Sequence, residues 1–77
     1  MTTSKNTDLT ERFPEVLKEV RLQKGISQEE LADRAGLHRT YISQIERSLK
    51  SPSLRSLGQI ADALEISLSS LIKKMEK

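Results

Sequence analysis

The sequence predicts an all-α fold, a compact five-helix bundle in one domain. Three observations carry this reading. Apolar residues recur at helical spacing from Phe13 onward, and no strand-type alternation appears. Ser27, Ser53 and Ser67 stand ahead of apolar runs, while Gly25 and Gly36 stand behind them, as helix starts and stops require. The core must be aliphatic, because hydrophobic residues are 35% of the 77 and aromatics only 3%.

Residues 1 to 8 are polar and read as a disordered tail, which leaves 9 to 77 as the folded unit. The first helix is expected from about Thr10 to Lys24. Pro14 then sits in its first turn, where the missing N–H does no harm; a helix starting ahead of Leu9 would be kinked there. Phe13, Val16, Leu17 and Val20 follow i, i+3, i+4, i+7 spacing. Gly25 ends the helix, since it tolerates the left-handed conformation.

The second helix starts at Ser27. "SQEE" is a capping box, in which the Ser27 hydroxyl accepts from the Glu30 N–H and the Glu30 side chain reaches back. Leu31, Ala32 and Ala35 form its inner face, and Gly36 stops it. The third helix runs from near His38 to about Ser48, with Ile42 and Ile45 inward. "KSPS" at 50 to 53 breaks the pattern. Ser53 caps a fourth helix, Leu54 to about Leu64, with Leu57, Ile60, Ala61 and Leu64 inward. Ser67 caps a fifth, Leu68 to about Lys74, with Leu68, Leu71 and Ile72 apolar.

Composition excludes several functions. There is no Cys, hence no disulfide or thiolate metal site, and one His, His38, cannot build a zinc site alone. No apolar run approaches the roughly 18 residues of a membrane span. "MTTSKNTDLTE" lacks the apolar segment of a secretory signal, so an intracellular, cytoplasmic protein is expected. The acidic pair Glu29–Glu30 falls in a helix first turn, where negative charge suits the dipole. No Ser/His/Asp arrangement or glycine-rich phosphate loop appears, and no enzyme activity, cofactor or metal is expected. The net charge of +2 is only mildly basic, so the placement of charge matters more than its sum.

Helices two and three are separated by about three residues, with Gly36 at the start of the turn. So short a connection forces a steep crossing, the helix-turn-helix geometry. Ala32 is small where the helices approach. With Ile42 and Ile45 buried, Arg39, Thr40, Ser43, Gln44 and Arg47 share the opposite face of the third helix. The DNA major groove admits one α-helix and displays distinct donor and acceptor patterns. Arg suits guanine, Gln suits adenine, and a Thr methyl can touch thymine. The plain alternative, a solvated helix face, does not explain why the face belongs to the second helix of this motif.

"RLQKGISQEELADRAGLHRTYISQIER" and "PSLRSLGQIADALEISLSSL" resemble the Xre/Cro-repressor family of helix-turn-helix regulators, over roughly residues 12 to 74. "LHRTYISQIER" is most similar to the controller proteins of restriction–modification systems. The resemblance implies a lambda-repressor-like DNA-binding domain. It implies that Gln28 bonds a phosphate, that Arg39, Thr40, Ser43 and Gln44 reach bases, and that Arg47 lies near the backbone and groove edge. Lys50 keeps a positive charge in reach. The resemblance also places an Arg–Glu ion pair at Arg21 and Glu46, between helices one and three. The chain departs from the family pattern at Ser48, where Gly is usual, and at Leu49, where a polar or basic residue is usual.

A homodimer on a two-fold operator of double-stranded DNA follows as the expectation. Leu68, Leu71, Ile72 and Met75 span too wide an arc for one short helix to bury. Leu68 and Leu71 are expected against Leu64 and helix one, leaving Ile72 and Met75 at the rim as the dimer interface. The 77 residues leave no segment for a sensor domain, so no small-molecule ligand is expected. The rival reading is a protein-interaction module, or an antitoxin of a toxin–antitoxin pair; an acidic or apolar outer face on helix three would have favoured it.

Overall fold

The computed structural model describes residues 3 to 76, with side chains described from Glu11 onward. Five helices follow one another: α1 Thr3–Gln23, α2 Gln28–Ala35, α3 Arg39–Glu46, α4 Leu54–Ala63 and α5 Leu68–Met75. No strand occurs among the described residues. α2 packs on α3 and α4, α1 on α3 and α5, and α4 on α5.

The serine caps form as local chemistry dictates. The Oγ atoms of Ser27, Ser53 and Ser67 accept from the N–H groups of Glu30, Ser56 and Ser70 at 3.0, 3.0 and 3.1 Å. The return arm of the capping box is not used: Glu30 Oε2 instead accepts from Arg34 Nη2 at 2.6 Å, one turn on. His38 caps α3 with no side-chain bond.

Four helix ends share one turn. Gly25, Gly36, Ser48 and Glu65 take φ values of +72°, +70°, +63° and +62°. After each, the next N–H reaches back five residues: Ile26 to Arg21 O at 3.3 Å, Leu37 to Ala32 O at 2.9 Å, Leu49 to Gln44 O at 2.8 Å, and Ile66 to Ala61 O at 3.1 Å. Ser48 therefore adopts the left-handed conformation that glycine favours. The departure from the family pattern leaves the turn intact and places a Cβ in a strained backbone.

Two further expectations are corrected. α1 begins at Thr3 rather than near Thr10, so residues 3 to 8, read as a tail, belong to the helix and Pro14 lies inside it. Proline removes one N–H, but its fixed φ is itself helical, and the run continues. Met1 and Thr2 lie outside the described residues. Met75 is not at the rim: it is buried in its own domain at 6% exposure, because α5 packs against both α1 and α4. Ile72 is half-buried and packs on the core.

The core is aliphatic around Leu17, Leu31, Ile42, Ile45, Ile60, Leu64 and Leu71, all fully buried. Ile26, in the α1–α2 turn, joins it. Ile42 and Ile45 thus fix the rotation of α3 about its axis, and so fix which side chains it turns outward.

Candidate nucleic-acid interface

α3 is eight residues long, about 12 Å at 1.5 Å per residue. With its side chains an α-helix is about 10–12 Å across, which the DNA major groove, about 12 Å wide, admits. Positions 39, 40, 43, 44 and 47 recur as i, i+1, i+4, i+5, i+8, one continuous stripe opposite Ile42 and Ile45. Arg39, Thr40 and Arg47 are exposed, and Ser43 and Gln44 are half-buried at its flank. Lys50 is exposed in the loop that follows. The helical spacing brings the five α3 positions to one side of the motif, and Lys50 lies beyond them, beside Phe13 and Pro14. The short Thr40 and Ser43 side chains keep the stripe low, while Arg39 and Arg47 extend from its ends.

α3 carries a single acidic residue, Glu46, which does not face outward as a free charge. Arg21 Nε donates to Glu46 Oε2 at 2.7 Å, and Arg21 Nη2 donates to Oε1 at 3.0 Å. The side chains of this pair are 8% and 4% exposed. Bidentate geometry of this kind suits a planar guanidinium. Arg21 Nη1 also donates to the Ile26 carbonyl at 2.9 Å, which ties the α1–α2 turn to the same group. The stripe is therefore basic and polar with no unpaired carboxylate on its own helix.

Gln28, the first residue of α2, is placed differently from a free phosphate donor. Its Nε2 donates to Glu46 Oε1 at 2.9 Å. Its amide joins the buried pair, while the residue stays only half-buried. Sequence reasoning missed this contact: the partners are 18 residues apart, and no local pattern links them.

Two further contacts steady the motif. The Tyr41 hydroxyl donates to Ser56 Oγ at 3.2 Å and accepts from the Ser53 N–H at 3.4 Å, tying α3 to the start of α4. Gln59 Nε2 donates to the Ala35 carbonyl at 3.1 Å, satisfying the last turn of α2. Ser56 is buried and was not foreseen, because a serine inside a helix reads as exposed. Among the described residues no cluster of His, Asp and Glu is placed to hold a metal.

A short helix pair joined by a glycine turn, with a polar stripe on the second helix, defines a helix-turn-helix protein. The chain belongs to the helix-turn-helix family HTH_3, whose model matches residues 17–71. It is 37% identical over 67 residues to control protein C.SmaI of Serratia marcescens, covering 87% of this chain and 80% of that one. It is 36% identical over 62 residues to the transcriptional regulator SinR of Bacillus licheniformis, covering 79% of this chain. Only 56% of SinR is spanned, so the chain matches little more than half of that relative. Among solved structures it resembles the wild-type restriction–modification controller protein C.Esp1396I, with a TM-score of 0.81, 39% identity, and 87% and 88% of the two chains covered. No helix among the described residues is long and apolar enough to cross a membrane.

Proposed function

We propose that this chain is a cytoplasmic, sequence-specific DNA-binding transcriptional regulator of the restriction–modification controller kind, acting as a homodimer on a two-fold operator. The observation that carries the reading is the outward stripe of α3, whose rotation Ile42 and Ile45 fix from beneath. Arg39, Thr40, Ser43 and Gln44 are assigned to base edges, Arg47 and Lys50 to the backbone, and Gln28 to a phosphate. Similarity to a control protein and to a controller protein over most of both chains supports the kind of regulator. We assign no cofactor or effector ligand; occupancy then follows protein concentration.

The dimer is assigned to α5 through Ile72, with apolar neighbours from α4. Met75 drops out of that surface because its own domain covers it. A two-fold axis there sets two reading helices on one DNA face, with half-sites about 34–36 Å apart. Ile72→Asp is expected to dissociate the dimer in sedimentation while helical circular dichroism persists. A variant still dimeric at micromolar concentration moves the interface elsewhere.

Binding to DNA is tested by salt titration and by substitution. Affinity is expected to fall by about 0.9 log units per phosphate contact per decade of salt. Arg39→Ala is expected to cost about 1–3 kcal/mol on the operator and relax one base pair, whereas Gln28→Ala weakens all sequences evenly. Salt-insensitive or absent binding points to a protein-only partner. Parent-like affinity of Arg39→Ala misplaces the reading face.

A further inference from the structure

We propose that Glu46 is a positioning residue for DNA binding: it fixes which end of the Gln28 amide is turned to a phosphate. The inference rests on the phosphate assignment of Gln28 made above. A glutamine amide has two faces of opposite polarity, an NH2 that donates and a carbonyl that only accepts. A phosphate oxygen accepts, so only the NH2 end grips it. An unconstrained amide is free to present either end.

Glu46 removes that freedom. An ionised carboxylate only accepts, so it takes the NH2 end of Gln28, and Oε1 does so at 2.9 Å. One N–H is then used by Glu46, and the same nitrogen of the half-buried Gln28 keeps a second N–H to donate. A carboxylate beside a phosphate site would by itself repel the ligand. Arg21 answers this with two bonds of 2.7 and 3.0 Å to the same carboxylate, which keep the local charge balanced. The third Arg21 bond, 2.9 Å to the Ile26 carbonyl, holds the turn that delivers Gln28 to the head of α2. α1, the α1–α2 turn and α3 are thus joined through Arg21, and the Glu46 carboxylate alone passes that anchoring to the Gln28 amide. An amide held in place in the free protein has its rotamer freedom already removed before DNA arrives, so binding does not have to order it.

The arrangement also ties the phosphate grip to the reading helix. Glu46 is the last residue of α3, so Gln28 is aligned only when α3 is docked against α1.

The experiment is a double-mutant cycle on DNA affinity, read with a duplex of arbitrary sequence at low salt. Glu46→Gln in the parent is expected to weaken binding about three- to tenfold, the range of one hydrogen bond. In the Gln28→Ala background the same substitution is expected to change affinity less than about twofold, because no amide is left to orient. An equal loss in both backgrounds overturns the proposal, since Glu46 would then act through the fold alone. Glu46→Asp is the second variant should Glu46→Gln fail to fold; it keeps charge beside Arg21 and withdraws the oxygens from Gln28 by one methylene. The free parent protein supplies a separate reading by NMR. The Gln28 side-chain NH2 is expected to be shifted and exchange-protected relative to that of Gln23, which is exposed. A Gln28 amide as free as that of Gln23 overturns the positioning by itself. A protected amide together with parent-like affinity of Gln28→Ala overturns the phosphate reading instead, and with it the purpose assigned to Glu46.

Discussion

Glu46, at the last position of α3, meets a buried guanidinium from α1, whereas Tyr41, in the first turn of the same helix, meets neutral hydroxyls from α4. The two contacts hold opposite ends of one helix, α3. They differ in chemistry and in exposure. The Arg21–Glu46 side chains are almost wholly buried, and three of the guanidinium's donors are used. Tyr41 is half-buried and its bonds are longer, at 3.2 and 3.4 Å. A buried charge stripped of its partner has nowhere to go, while a stripped hydroxyl near the surface can turn to water. The charged end is therefore all-or-none, and the hydroxyl end is adjustable.

Breaking the charged end has the largest expected effect. Arg21→Met leaves Glu46 buried and uncompensated, at a cost of about 3–5 kcal/mol. The double variant Arg21→Met/Glu46→Met is expected to recover most of that loss, since an apolar pair of similar volume is often neutral or better. Urea unfolding of the four proteins gives the coupling directly. A coupling near zero reduces the pair to two unrelated charges. Breaking the hydroxyl end is expected to matter less: Tyr41→Phe keeps the ring packed and removes one hydroxyl, for about 0.5–1.5 kcal/mol. Equal losses at the two ends erase the distinction between them.

The same contrast separates what could be read in the sequence from what could not. Ser27, Ser53 and Ser67 were legible as caps because each bonds an N–H three residues on, inside one turn. The stripe of α3 was legible because Ile42 and Ile45 fix its phase. The start of α1 was not, because a proline in the first turn of a helix and one inside a helix look alike in sequence. Met75 was misplaced because its burial depends on how α1 and α4 both close over α5. Gln28 was assigned from the resemblance to a phosphate alone, and its bond to Glu46 is a tertiary fact. Glu30 shows the local version of the same limit: two partners lay in reach, Ser27 and Arg34, and the structure takes the charged one.

The smallest expected effect lies at Ser48, two residues beyond the charged end of α3. Its φ of +63° places a Cβ where the left-handed backbone crowds it, as does the +62° of Glu65 after α4. A non-glycine residue there costs roughly 1–2 kcal/mol, but glycine gives back part of that through its freer unfolded chain. Strain of about 1–2 kcal/mol less the roughly 0.4–1 returned leaves Ser48→Gly and Glu65→Gly each expected to stabilise by about 1 kcal/mol or less in urea unfolding. The two sites sharpen the comparison because they relieve the same strain in different settings. Ser48 follows an end locked by buried charge; Glu65 follows the buried aliphatic Leu64. With the Arg21–Glu46 pair holding α3, relief at Ser48 should appear as stability and leave DNA affinity unchanged. A gain at Glu65 without one at Ser48 assigns the Ser48 side chain a contact of its own. A change in DNA affinity with Ser48→Gly shows that the charged end does not fix α3 by itself, and that the turn after it shares the task.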